Sequence, residues 1–290
     1  MGKFKSVIAA SDLAAELGAH DLVVLDCRFD LGDPAAGRKA WEAGHIPGAV
    51  YADLDRDLAA PVTAESGRHP LPAPDRMARQ FADWGIGSDT RVAVYDDVSG
   101  AIAARAWWLL RWLGHDRVAV LDGGLNAWRE AGLPLDDATP APVKARLVAE
   151  PRDEWVLGTD TLAAGEFPRA RLLDARDAAR FRGEQEPIDP VAGHVPGAGN
   201  LPFRETLAGD GRLKSPAALR LAFAMHLEGD LESPWAVMCG SGVTACQLAL
   251  AAEHAHLRPP AVYIGSFSEW IRDSGRPVGA APGERIPGSE

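Results

Sequence analysis

Three phrases occur twice in this chain, in the same order. VVLDCRF (23–29) is echoed by RLLDARD (171–177), WEAGHIPGAV (41–50) by PVAGHVPGAG (190–199), and LDGGLNAW (121–128) by YIGSFSEW (263–270). Asp26 and Asp174 are 148 residues apart, His45 and His194 149, and Trp128 and Trp270 142. Order and spacing are both kept, so the chain reads as a duplicated domain and not as a short-period solenoid. At 290 residues it is long enough for two ordinary domains. The intervening stretch DDATPAPVKARLVAEP (136–151) is rich in Pro and Ala and carries no helical stripe, as a linker would. The expected organisation is an N-terminal domain over 1–140, a linker over 141–151 and a C-terminal domain over 152–290. The Pro/Gly-rich tail RPVGAAPGERIPGSE (276–290) is expected to lie extended on the surface.

Short β-branched runs (LVVLD, RVAVYD and RVAVLD, then RLLDA, WAVMC and AVYIG) alternate in each half with helical segments such as AIAARAWWLLRWLG and GVTACQLALAAEHA. Near-continuous apolar strands alternating with helices predict an α/β fold: in each half, a mainly parallel sheet with helices on both faces. Ligands of such sheets collect at the carboxyl ends of strands, beside helix N-termini. Cys239 falls at such an end, in WAVMCGSGVTACQLA (235–249).

The CGSGVT loop (239–244) suits an anion. Gly240 and Gly242 let the backbone curl so that successive N–H groups point inward. A helix starting near Val243 or Thr244 adds its unpaired N–H groups and the positive end of its dipole. Such a cradle stabilises a thiolate nucleophile, and equally the persulfide anion formed when it accepts sulfur. A buried, inert cysteine in a strand-to-helix turn would present the same local pattern. The duplication separates the two readings: aligning VYDDVSGAIAARAWW with VMCGSGVTACQLALA pairs Asp96 with Cys239, so the first half keeps the framework without the nucleophile. By the converse argument His45 and His194, present in both halves, are structural, as are Trp128 and Trp270. Arg176, in the repeated LD-x-R phrase, is expected in a structural ion pair. Cys246 is expected to be packing, and Cys27 has no assigned role.

Composition limits the partners. The formal net charge of −11 argues against a phosphate-backbone partner, which calls for clustered Lys and Arg. The three cysteines form no disulfide framework and no metal-ligand spacing, so no metal or cofactor is expected, and a reducing compartment is the simpler reading. The first 20 residues lack the apolar core of a secretory signal, and no run reaches the length of a membrane span. A cytoplasmic protein with no nucleic-acid or membrane partner is expected.

Together, GHIPGA, GHVPGA, both LD-x-R phrases, LDGGLNAW and CGSGVT resemble the two-domain sulfurtransferases of the rhodanese superfamily, over nearly the whole chain. The form of the loop resembles the 3-mercaptopyruvate sulfurtransferase branch; the thiosulfate branch usually carries two basic residues where this chain has Gly240 and Ser241. The resemblance implies that the second half is catalytic and the first an inactive copy. It implies that Cys239 takes sulfur from a small anionic donor to form a persulfide, releasing pyruvate if the donor is 3-mercaptopyruvate. A thiol acceptor, thioredoxin among the candidates, or cyanide then removes the outer sulfur. The alternative within the superfamily is a thiosulfate:cyanide sulfurtransferase using the same Cys239.

The resemblance also implies a serine–histidine–acid array, matched by Ser241, by His69 in SGRHPLP and by Asp55 in YADLDRD, with Asp53 and Asp57 close by in sequence. Gly240, Gly242, Val243 and Thr244 complete the substrate-binding loop. Arg180 matches the first substrate arginine of the branch, since a guanidinium fork suits a carboxylate. The second, nine positions on, is absent: Asp189 stands there, in a segment that looks two residues shorter, and Arg182 is the nearest substitute. Cysteine phosphatases on the same fold need an arginine six residues after the cysteine, where this chain has Ala245, and a non-catalytic binding module would lack the nucleophile.

Overall fold

The computed structural model describes residues 5–279; residues 280–290, most of the Pro/Gly-rich tail, lie outside them. The chain forms two compact units. Unit 1 contains residues up to Ala60, Pro72–Asp153 and Leu207–Leu213; unit 2 contains Pro61–Leu71, Glu154–Thr206 and the remainder from Lys214.

Unit 1 is built from β1 (Val7–Ile8), α1 (Ala10–Glu16), β2 (Leu22–Asp26), α2 (Ala36–Ala43), β3 (Val50–Tyr51), α3 (Pro74–Asp83), β4 (Arg91–Tyr95), α4 (Ala103–Trp112), β5 (Val118–Leu121) and α5 (Gly124–Glu130). Unit 2 contains β6 (Val156–Leu157), α6 (Thr159–Ala163), β7 (Leu172–Asp174), α7 (Ala178–Phe181), β8 (Gly199–Asn200), α8 (Pro216–His226), β9 (Ala236–Met238), α9 (Thr244–His254), β10 (Ala261–Tyr263) and α10 (Ser266–Trp270). The sheets run β1-β5-β4-β2-β3 and β6-β10-β9-β7-β8, with every pairing parallel. The second order is the first shifted by five strands, so the repeated phrases encode a repeated topology.

The apolar runs of the sequence become strands covered on both sides. In β4, Ala93 and Tyr95 join a core with Leu13 of α1 and Leu125 and Trp128 of α5. Val92 and Val94 alternate to the opposite face and are equally buried, which a sheet open to water on that side would not allow. Unit 2 repeats the arrangement, with Met238, Tyr263, Phe267 and Trp270 in one cluster.

The shared phrases hold the same joints in both units. Arg28 donates to Asp26 and, at 2.8 Å, to the Gly44 carbonyl; Arg176 donates to Asp174 and, at 2.8 Å, to the Gly193 carbonyl. Both ion pairs are buried, where losing one partner would strand a charge at a cost of about 3–5 kcal/mol. His45 hydrogen-bonds the Trp41 carbonyl at 2.7 Å and His194 the Phe181 carbonyl at 2.8 Å. The indole N–H groups of Trp128 and Trp270 donate to the carbonyls of Pro134 and Pro277, both at 2.8 Å. These groups brace the fold.

The stretch 137–152 has no regular secondary structure and is tied along unit 1: Ala145 N–H donates to Ala82, Glu150 N–H to Leu113 and Arg152 N–H to Trp112. Residues 61–71 precede most of unit 1 in sequence and yet belong to unit 2. Gly67 N–H donates to the Glu269 carboxylate at 3.2 Å, Arg68 N–H to Ser268 Oγ at 3.1 Å, and Arg272 Nε to the Ser66 carbonyl at 3.1 Å. Gly67 lies so near the Gly265 carbonyl that a Cβ there would sit 2.6 Å from its oxygen.

Candidate active site

The site is assembled at the carboxyl end of β9. The strand ends at Met238, Cys239 follows, and α9 begins at Thr244 with Val243 as the residue before its first turn. Cys239 is almost fully buried, at 2% exposure. The N–H groups of Ser241 and Gly242 donate to its Sγ at 3.4 and 3.1 Å, so the loop does curl its amides toward the sulfur. The two glycines serve different needs. Gly242 has φ +78°, and a Cβ there would press into the Ile264 backbone. Gly240 does not have positive φ; its requirement is space, because a Cβ would lie 2.8 Å from a terminal nitrogen of Arg68 and 3.7 Å from those of Arg180.

The β10–α10 turn braces the loop. The carbonyls of Cys239 and Gly240 accept from Phe267 N–H at 3.0 Å and Ser268 N–H at 2.8 Å. Ser266 Oγ accepts the Cys239 N–H at 3.1 Å and donates to the Tyr263 carbonyl at 2.7 Å. Ser266 does this from φ +53°, a conformation costly for a residue with a Cβ. Its counterpart in LDGGLNAW is Gly124, at φ +60°. Sequence reading passed over Ser266, although a serine replacing the duplicate's glycine was a visible signal.

His69 joins this loop from the segment 61–71. Its Nδ1 is in hydrogen-bond contact with Ser241 Oγ at 2.8 Å, and both residues are buried, at 5% and 7% exposure. Asp55 belongs to unit 1 and is exposed, in a turn where Asp53 Oδ1 accepts the N–H groups of Asp55 and Arg56 at 3.0 and 3.1 Å. Cys246, in the first turn of α9, is buried with its Sγ donating to the Gly242 carbonyl at 3.2 Å. Cys27 is buried, and desolvation followed by the charges of Asp26, Asp96 and Asp57 pushes its thiol up, which keeps it protonated and unreactive.

Arg180 approaches Gly240 but is not free: its Nε and one terminal nitrogen donate to Glu186 at 3.2 and 2.7 Å, and the same terminal nitrogen reaches Asp189 Oδ2 at 3.1 Å. Arg68 pairs with the other oxygen, Asp189 Oδ1. Arg182 is engaged elsewhere, bonded to Glu184 at 2.6 Å on the exposed side of the segment. The second guanidinium over the loop is therefore Arg68, with Asp189 between the two arginines. Burial pushes the Asp189 carboxyl up and neighbouring Glu186 adds to this, against the pull of Arg68 and Arg180. For Glu186 burial works in the same direction, but the bonds from Arg180, Asp189 N–H and Ile188 N–H outweigh it and hold the carboxyl below the usual range. Among the described residues no group of three His, Cys, Asp or Glu side chains could hold a metal, and no helix is long and apolar enough to cross a membrane.

The model of the rhodanese-like domain matches residues 9–131 and again 160–273. The chain belongs to the rhodanese-like family. Its relatives in that family include the probable 3-mercaptopyruvate sulfurtransferase of Pseudomonas aeruginosa, 48% identical over 94% of this chain and 97% of the relative. The thiosulfate sulfurtransferase of Mus musculus is 35% identical over 91% of this chain and 90% of its own. Among solved structures, SseA from Escherichia coli, described as a 3-mercaptopyruvate sulfotransferase, superposes with a TM-score of 0.79 at 31% identity, covering 91% of this chain and 99% of that one. The rhodanese-like architecture accounts for both sheets.

Proposed function

We propose that this sulfurtransferase moves a sulfane sulfur from 3-mercaptopyruvate, through a persulfide on Cys239, to a thiol or cyanide, and releases pyruvate. The observation that carries the reading is the His69–Ser241 hydrogen bond beside a cysteine sulfur that receives two backbone N–H groups. Those N–H groups favour negative sulfur both before and after transfer. The Cys239 thiolate attacks the donor sulfur and the S–C bond breaks. Its electron pair leaves on carbon as the enolate of pyruvate, and the donor's thiol proton is released as the persulfide ionises. The enolate takes up one proton, for which His69 acting through Ser241 is the route. A thiolate acceptor then attacks the outer sulfur and returns Cys239 as thiolate. A dithiol protein of the thioredoxin kind suits this second step, since its second thiolate displaces the outer sulfur of the resulting persulfide as hydrosulfide and closes the protein's own disulfide. Asp55 is assigned as the acid of the array on family resemblance alone. A cytoplasmic location agrees with cysteines that form no disulfide among the described residues.

Thiosulfate is the second donor reading, favoured by the relatives that carry that name and by the absence of an arginine at position 189. Intact-mass measurement after exposure to 3-mercaptopyruvate should show a gain of one sulfur atom, absent in Cys239→Ser. Specificity constants for the two donors then rank them. A persulfide formed from thiosulfate but not from 3-mercaptopyruvate overturns the donor assignment, and no gain with either overturns the persulfide chemistry.

A further inference from the structure

Asp189 holds, within unit 2, the position that a donor's own carboxylate would be expected to take. Its side chain is only 2% exposed, and its two oxygens are divided between two guanidinium groups, Oδ1 to Arg68 and Oδ2 to Arg180. Those guanidinium groups are the ones that lie over Gly240, one residue from Cys239. A pair of arginines that already grips one carboxylate between them has the geometry to grip another, because fork and carboxylate are matched in shape. Arg68 also keeps its Nε buried without an acceptor among the described residues, so the pair has unused donor capacity.

Charge makes the arrangement informative. Arg68 and Arg180 are balanced by Glu186 and Asp189, so this group of four carries no net charge. Glu186 lies behind the pair: it accepts from Arg180 and from the N–H groups of Ile188 and Asp189, and it faces Arg176. Asp189 is the member shared by both arginines. An incoming anion has to displace it or share the guanidinium groups with it at a like-charge penalty.

We infer that Asp189 is an internal ligand of the Arg68–Arg180 pair and determines donor specificity by competing with the anionic end of the donor. The inference rests on the reading of Cys239 as the sulfur acceptor from an anionic donor. Asp189→Asn and Asp189→Ala keep both arginines and remove the competing charge. Both should lower KM for 3-mercaptopyruvate about five-fold, with kcat changed less than about two-fold, since the contact affects donor binding and not the transition state alone. The rate at which cyanide discharges a preformed persulfide, after donor is removed, should stay as in the wild type. Arg68→Ala should move KM in the opposite direction. A KM that is unchanged or raised in the Asp189 variants overturns the inference, because Asp189 would then be holding the arginines in place.

Binding of pyruvate to Cys239→Ser, with and without Asp189→Asn, reads the same competition without turnover. Tighter binding in the double variant supports the inference, and equal binding or none in either protein overturns it. If the wild type takes sulfur from thiosulfate and not from 3-mercaptopyruvate, the donor assignment fails on its own. The ratio of variant to wild-type KM for thiosulfate then still decides the role of Asp189.

Discussion

The two units build the same strand–loop–helix junction and fill it differently. In unit 2 the space after β9 holds the Cys239 sulfur, with N–H groups from Ser241 and Gly242. In unit 1 the space after β4 holds the carboxylate of Asp96, with four: Val98 and Gly100 donate to Oδ1 at 2.9 and 2.8 Å, Ile102 and Ala103 to Oδ2 at 2.8 Å each. The backbones outside the loops correspond closely. The Asp96 carbonyl accepts from Leu125 at the start of α5, as the Cys239 carbonyl accepts from Phe267 at the start of α10. The convergence of backbone N–H groups on one side chain thus belongs to the junction. On the proposed reading the occupant decides whether it serves folding or chemistry: a carboxylate saturated by its own chain has nothing left to offer a substrate, whereas a sulfur with two amide contacts is left to react.

Three experiments can break or sharpen this comparison. The largest effect is expected from Gly242→Ala, which combines φ +78° with a Cβ driven into the Ile264 backbone. It should lower stability by about 3 kcal/mol or more and reduce sulfur uptake at least about 100-fold, read by chemical denaturation and by donor turnover. Wild-type uptake in this variant would show that the amide cradle is dispensable for the sulfur.

Asp96→Ala should cost about 2–4 kcal/mol, because it strands buried N–H groups that had a charged acceptor. Cys239→Ala should cost much less, about 1 kcal/mol, while abolishing sulfur uptake. Equal losses in denaturation midpoint for the two would erase the distinction between a structural and a chemical occupant.

The smallest effect is on pH dependence. Burial pushes the Asp96 carboxyl up from its ordinary 3.8, against the pull of the Ala103, Gly100, Ile102 and Val98 N–H groups. A carboxyl with a raised value in the folded state binds protons more tightly there than in the unfolded chain. Its contribution to stability therefore declines as pH rises from about 3.8 through the raised value, and is constant above it. Asp96→Asn should flatten that limb of the stability–pH curve, measured by denaturant midpoints. A limb identical to wild type would assign the slope to other groups.

Much of this was readable in the chain because it is local. Cys239 announces itself through the apolar run before it, the glycines around it and the helix after it, all within about a dozen residues. Asp96 as its counterpart follows from aligning the chain with itself. Ser266 could have been found the same way, by asking why a serine stands where the duplicate has a glycine. The partners contributed by residues 61–71 are another matter. Nothing in SGRHPLP, read as physical chemistry, says that its histidine meets a serine 172 positions away; only family resemblance singled out His69. Arg68 was missed altogether: the absence of an arginine at position 189 was visible, but the second guanidinium over the loop comes from far away in sequence.

The duplicated α/β plan and the place of the proposed nucleophile were determined by the sequence alone, since periodicity, glycine placement and repetition act over short spans of chain. The tertiary structure decided which distant side chains surround that nucleophile. It brought His69 to Ser241 and set Asp189 between Arg68 and Arg180. Those contacts depend on where a loop without regular structure is tied down, by hydrogen bonds to Ser268 and Glu269 that no local pattern encodes.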